Sequence, residues 1–380
     1  MNSRERIKTL LKGGTPDRIP YGEFAIDSDT VEKIIGHPTY LRNKRATREA
    51  LWYGHRDEVV QSYREDMVTL YQKLDICDVV NLMSESCGLV PPADYEPLRP
   101  EKLDDTTWKD INGCIYKYSE TTRDIVMVED PMLWEREYEP EDFDLEEELT
   151  PPDESCFEAI DYVISRFTGD RYVIANAGRE AGFLLPGNME RGLTEYLTNP
   201  EGMQAMIDYE TRWGNFEDPY YIRKGQDAVL WGVDFCYNRG PLMAPRYFRE
   251  MVLPSIKSRV ANVHSLGMDV IKHCCGNTLE LMDLFLEAGY DGYQSLQKSA
   301  GVKVPALREK VGDRLMLWGG IDVAVLLNGT REDVIRETRG AIAEARGGKM
   351  ILGSSHSIAT GCKYDNYMTM LDVISNEAFY

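Results

Sequence analysis

Eight short apolar-rich runs recur along the chain, most of them nearly continuous: residues 18–24, 79–83, 172–176, 228–234, 269–274, 292–296, 315–319 and 350–354. They are rich in Val, Ile, Leu, Tyr and Trp and end on polar residues or glycine. Strands covered on both faces read this way, whereas a strand with one wet face alternates. The intervening stretches carry the other periodicity. Residues 277–289 begin polar, repeat apolar side chains at helical spacing and stop at Gly289. Thr330, followed by Arg331, Glu332 and Asp333, marks another helix start, with a capping side chain and acidic residues in the first turn. Strands and helices in alternation imply a parallel sheet. Eight such units predict an α/β chain folded as a (β/α)8 TIM barrel, with residues 1–380 as a single domain that includes an N-terminal helical segment.

Residues 84–165 break the pattern. They are rich in Pro, Asp and Glu and carry short alternating runs at 114–118 and 124–128. They read as an insertion after the second strand that contains a β-hairpin. Within it, residues 135–148 hold most of a local acidic excess, read as a solvated loop or helix start.

Composition narrows the function. The formal net charge is −21, which repels phosphate backbones and anionic lipid and so argues against nucleic-acid and membrane partners. No apolar stretch reaches the roughly 18 residues that a membrane span needs. The first six residues open a charged amphipathic helix without the apolar centre of a signal peptide. A cytoplasmic location is the expectation, and the eight cysteines are then reduced thiols whose use is burial, catalysis or metal binding.

In a barrel of this kind, chemistry sits at the C-terminal ends of the strands. Those ends place Glu23, Glu85 and Cys87, Asn176 with Arg179 and Glu180, and Asp234 with Cys236 on one rim. His273, Cys274 and Cys275 follow, and His356 closes the circuit. Only five histidines are present, and two of them fall here. In an extended segment residues two apart point the same way, so His273 and Cys275 can reach one ion, and imidazole with thiolate suits Zn²⁺. His356, Asp234, Cys236 and Cys362 are the candidates for a further ligand. Without a metal, the same pair is a hydrogen-bonded couple beside a pocket. Cys274 points to the opposite face and reads as core, as do Cys77, Cys114 and Cys156. Tyr237, Tyr293, Arg239 and Trp318 lie on or beside strand ends and are the candidates for lining a substrate pocket; Trp231, inside a strand, reads as packing.

Several of these runs resemble one family. Residues 4–20, 239–245, 273–277, 317–322 and 353–358 are similar to the matching stretches of uroporphyrinogen decarboxylase-like proteins. The resemblance spans nearly the whole chain and is least clear over 84–165. Decarboxylases of the family carry an Arg-Gln-Ala-Gly-Arg-Tyr run that grips substrate carboxylates; here residues 21–27 read Tyr-Gly-Glu-Phe-Ala-Ile-Asp. The chain looks more like the corrinoid-dependent methyltransferases. Thiol-methylating members hold zinc with His-x-Cys and a distant Cys; His273 and Cys275 match the pair, and His356 stands where the distant Cys is expected. Cys362 lies six residues beyond His356 and is not the matching position.

What the resemblance implies is the methyltransferase component of a corrinoid-dependent demethylation system, moving methyl from a small methylated donor, such as a methoxylated aromatic, to cobalamin carried by a corrinoid protein. His273, Cys275 and His356 are the expected Zn²⁺ or acid-site residues, Asp234 and Glu180 (with His356) the expected orienting or proton-handling groups, and Tyr237, Tyr293, Arg239 and Trp318 the expected substrate contacts. A decarboxylase of a smaller acid and a methyl-corrinoid:thiol methyltransferase are the alternatives, and a homodimer is left open.

Overall fold

A computed structural model describes residues 1–82 and 88–380. Glu85 and Cys87, expected at the rim after the second strand, lie outside the described residues. Seven of the eight apolar runs are strands: β1 Val79–Asn81, β2 Tyr172–Ala175, β3 Ala228–Trp231, β4 Asp269–His273, β5 Gly292–Gln294, β6 Met316–Ile321 and β7 Met350–Ser354. They form one curled parallel sheet in chain order. Their side chains alternate faces, as the pleat requires. Tyr172, Ile174, Ala228, Leu230 and Ile271 belong to an inner apolar cluster. Val173, Ala175, Val229, Trp231 and Val270 belong to an outer one, packed under the helices.

The eighth run is not a regular strand. Residues 18–24 make isolated bridges only, including Tyr21 to Leu352. Three backbone hydrogen bonds nevertheless span the open edges of the sheet: Gly22 N to Leu352 O at 2.9 Å, Leu352 N to Pro20 O at 2.8 Å and Asp78 N to Tyr21 O at 2.7 Å. The ladder is incomplete for identifiable reasons. Pro20 has no N–H to give. The Tyr21 N–H goes to the Asp78 carboxylate at 2.9 Å instead of to a carbonyl. Asp78 is fully buried and is neutralised by Arg6, at 2.5 Å, and Arg18, at 2.9 Å. Gly22 passes so close to β1 that a Cβ there would stand 2.6 Å from a Val79 methyl. The sheet is therefore a half-barrel joined by an irregular segment, not a closed eight-stranded barrel.

Helix Ser3–Leu11 covers the N-terminal end of this sheet. Asn2 and Glu5 form a reciprocal capping box. Ile7 and Leu10 enter the inner cluster, and Arg4 and Lys8 bond Asp227 and Asp269, each at 2.8 Å. The opposite end, where the strands terminate, stays open. The helices expected after residues 277 and 330 are present as Met282–Ala288, preceded by a short 3-10 turn, and Arg331–Ala345, capped by Thr330 and Asp333. The insertion carries four antiparallel strands rather than a hairpin: Glu101–Asp104, Thr107–Lys109, Ile115–Ser119 and Asp124–Glu129. Trp108 and Ile125 make its small core together with Trp52 from the helix Lys44–Trp52. Among the described residues, no helix is long and apolar enough to cross a membrane.

Glu23, at the end of the irregular segment, is buried. It accepts hydrogen bonds from Tyr21 Oη at 2.8 Å, from Ser354 N at 3.0 Å and from Ser354 Oγ. Burial outweighs these donors and pushes its carboxyl from 4.5 up to about 7. A raised carboxyl contributes stability below its unfolded value and loses it as pH rises through the folded one. Urea unfolding of wild type and Glu23→Gln at pH 5 and pH 8 is therefore expected to show the variant gaining about 2–3 kcal/mol on wild type over that interval. Parallel pH dependences would contradict a neutral Glu23 below pH 7.

Candidate functional site

At the open end of the sheet lies a pocket of about 700 Å³. Phe24, Arg42 and Lys44 reach it from the N-terminal segment, residues 176–180 from the loop after β2, and residues 231–234 from the end of β3. His273 and His356 complete the wall beside Asp234.

His273 is the last residue of β4. Alternation from inward Ile271 carries it into the pocket, while Cys274, in the outer cluster, turns away as the spacing predicts. Gly276 then adopts a left-handed conformation, φ 84°, where a Cβ would lie 2.6 Å from the Tyr237 carbonyl oxygen. Only glycine fits that approach, and it turns the chain out of the strand directly after Cys275.

The His273 ring is held on both sides. Phe24 stacks on it with centroids 4.0 Å apart and planes 9° from parallel. Its Nδ1 bonds the Gln294 side-chain oxygen, which can only accept, so Nδ1 carries the hydrogen and Nε2 presents a lone pair. Nε2 lies 3.3 Å from Cys275 Sγ and 3.9 Å from Asp234 Oδ1. Burial lowers the His273 pKa to about 4, against the pull of Asp234. Burial, aided by the Asp234 carboxylate, pushes the Cys275 thiol up to about 12. In the metal-free protein at neutral pH the pair is thus a neutral imidazole beside a thiol. Asp234 also accepts the Cys275 N–H at 2.7 Å, which ties the end of β3 to the end of β4.

One donor atom from each of Asp234, His273 and Cys275 lies within 4.8 Å of the others. Tetrahedral Zn²⁺ with ordinary bond lengths sets its nitrogen, sulfur and oxygen ligands about 3.4–3.6 Å apart. The 3.3 and 3.9 Å separations fit that ion, and three protein ligands would leave one position for substrate. His356 is not part of this group: its ring centroid is 6.3 Å from that of His273, and it stands exposed at the pocket mouth. Cys236 and Cys362 are buried elsewhere and do not join the group either.

The other expected residues divide sharply. Glu180 lines the pocket, but its carboxylate is taken up by Lys272 and by the Val233 N–H at 2.8 Å. None of the four expected substrate contacts lines the pocket. Tyr237 and Arg239 are exposed on an adjacent small hairpin. Tyr293 is fully buried behind the site, its hydroxyl 3.0 Å from the Cys274 carbonyl oxygen and 2.8 Å from that of Ser295. Trp318 fills the inner cluster and donates to Gly22 O at 2.8 Å. In their place stand Phe24, Arg42, Lys44 and Trp231, of which only Trp231 drew attention in the sequence, and as packing. Phe24 closes the run at 18–24, Arg42 lies in a turn and Lys44 opens the helix Lys44–Trp52, and nothing in their local pattern singles out a pocket role.

Residues 127–376, more than half of the chain, match the uroporphyrinogen decarboxylase (URO-D) family. The chain belongs to that family. Among solved structures it is similar to a methyltransferase from Methanosarcina mazei, with 17% identity over 99% of this chain and 98% of that one and a TM-score of 0.66. It shows a looser likeness to a putative vitamin-B12 independent methionine synthase from Listeria monocytogenes, with 11% identity over 94% and 96% of the two chains and a TM-score of 0.45. At such identities the first likeness bears on the fold alone, and the second carries no weight. No curated protein matches the sequence.

Because Gln294 fixes the imidazole tautomer, Gln294→Leu is expected to weaken Co²⁺ or Zn²⁺ binding about 10–100-fold, read by competition against a chromophoric chelator. Unchanged affinity would show that the amide does not orient His273.

Proposed function

We propose that this chain is the methyltransferase component of a corrinoid-dependent demethylation system, taking methyl from a small methylated compound such as a methoxylated aromatic and passing it to cobalamin on a separate corrinoid protein. The observation that carries the reading is the convergence of Asp234, His273 and Cys275 beside a pocket with apolar walls at Phe24 and Trp231. These three residues would hold Zn²⁺, which supplies Lewis acidity at the leaving oxygen of the donor.

The chain's own groups do the remaining work. An aryl ether releases methyl only if the oxygen that keeps the bonding electrons is neutralised. His356 lines the pocket beside His273 and can hold or deliver a proton at that oxygen. The stacked Phe24 and the Gln294 amide keep His273 from rotating. Phe24, part-exposed in the pocket wall, offers apolar surface to an aromatic ring. The methyl group moves without its bonding pair to the cobalt nucleophile of the docked partner, and the demethylated phenol takes up the proton.

A second reading, decarboxylation of a small acid, draws on Arg42 and Lys44 in the same wall, although they are paired with Asp27 at 2.9 Å and Asp124 at 3.4 Å. It requires no metal.

The two are separated by a direct assay. Wild-type protein is expected to carry close to one zinc per chain and to methylate cob(I)alamin with at least one member of a methoxylated-aromatic panel. Cys275→Ser is expected to cut the rate by about 100-fold or more, as loss of several kcal/mol of charge stabilisation implies. Full activity of metal-free wild type would remove the metal from the account, and CO₂ release without methyl transfer would replace the reading with the second.

A further inference from the structure

Asp234 is half-exposed, at 48%, and follows the last residues of β3 on a loop. A carboxylate so placed would ordinarily sample many positions, yet it is held close to both His273 and Cys275. The Cys275 N–H bonds the carboxylate directly at 2.7 Å, and a second restraint comes from behind the pocket. Lys272, fully buried, is the residue before His273 on β4 and points to the opposite face. Its ammonium has three N–H bonds and three partners. One is the Glu180 carboxylate. The second is the Val233 carbonyl oxygen at 2.6 Å. The third is the face of the Phe235 ring, 3.9 Å from its centroid. The other Glu180 oxygen accepts the Val233 N–H at 2.8 Å. The ion pair thus grips both backbone polar groups of the residue before Asp234, and the same ammonium sits on the ring of the residue after it. Phe235 N also donates to Cys274 Sγ at 3.2 Å.

We infer that the buried Lys272–Glu180 pair is a positioning clamp whose task is to hold the Asp234 carboxylate at the metal site formed with His273 and Cys275. The inference rests on the metal reading above. It recasts Glu180: its carboxylate is fully engaged and acts through Val233, not on substrate. Because Lys272 and His273 are neighbours on one strand, a single backbone segment delivers the donor to one face and the clamp to the other. Any displacement of β4 then moves both together.

The test is a mutant cycle read by metal affinity and by the cobalt–thiolate absorption of the Co²⁺-loaded protein. Asp234→Ala is expected to weaken Co²⁺ binding about 10–100-fold. Lys272→Met, in which Glu180 can take up a proton, is expected to weaken it by a similar factor. In the Asp234→Ala background Lys272→Met should have no further effect, because the group it positions is already gone. Far-UV circular dichroism and thermal melting establish that each variant is folded. Glu180→Gln is the second route into the same cycle if Lys272→Met does not fold. Wild-type affinity in the folded Lys272→Met protein, or losses that simply multiply in the double variant, would overturn the clamp while leaving the metal site standing. Absence of Co²⁺ binding by wild type would instead overturn the metal reading, and the clamp with it.

Discussion

Side chains on a strand must alternate between the two faces of the sheet, and residues 269–275 turn that constraint into a site. Ile271 and His273 face inward, whereas Val270, Lys272 and Cys274 face the helices. No other arrangement is open to a strand buried on both sides. The consequence is a layered sheet end: His273 on the pocket side, and behind it a buried ammonium bonded to the neighbouring loop. The alternation stops after Cys275, where Gly276 takes a conformation closed to other residues. Cys275 therefore still lies near His273, and the chain leaves before it would cover the pocket.

The closure of the sheet depends on a second buried charge. Asp78 receives Arg6 from the N-terminal helix, Arg18 from the irregular segment and the Tyr21 N–H. An isolated carboxylate at that depth would be costly, and two guanidinium groups offset its desolvation. This cluster pins the helix that covers one end of the sheet and the segment that joins its edges. That segment brings Phe24 onto His273. Distant parts of the chain thus meet at the imidazole, although none lies near it in sequence.

Much of this was legible in advance, and the failures have physical causes. Continuous apolar runs marked β1 to β7 because burial on both faces leaves that signature. The run at 18–24 carries Pro20, Gly22 and Glu23 among its apolar residues, and its hydrogen bonds go partly to a side chain 57 residues away, which no local pattern records. The His273–Cys275 pair followed from the two-residue period, and so did the outward Cys274. The third donor did not. His356 was favoured by position along the chain and by resemblance, but Asp234 is nearer because β3 and β4 are hydrogen-bonded neighbours. Tyr237, Tyr293, Arg239 and Trp318 were placed on the pocket because strand ends were read as rim. Trp318 lies within β6 and fills the barrel interior, and Tyr293 sits on the outer face of β5. Phe24, Arg42 and Lys44 reach the pocket from segments whose course is set by tertiary contacts.

The central claim is that Asp234, His273 and Cys275 are the ligands of one divalent metal. X-ray absorption of the zinc-loaded protein tests it most directly, because sulfur and the lighter donors scatter distinguishably. The account predicts a single sulfur neighbour at about 2.3 Å with nitrogen and oxygen neighbours at about 2.0–2.2 Å, and loss of the sulfur shell in Cys275→Ser. A shell of nitrogen and oxygen alone in wild type, or a second sulfur that survives in Cys275→Ser, would contradict it.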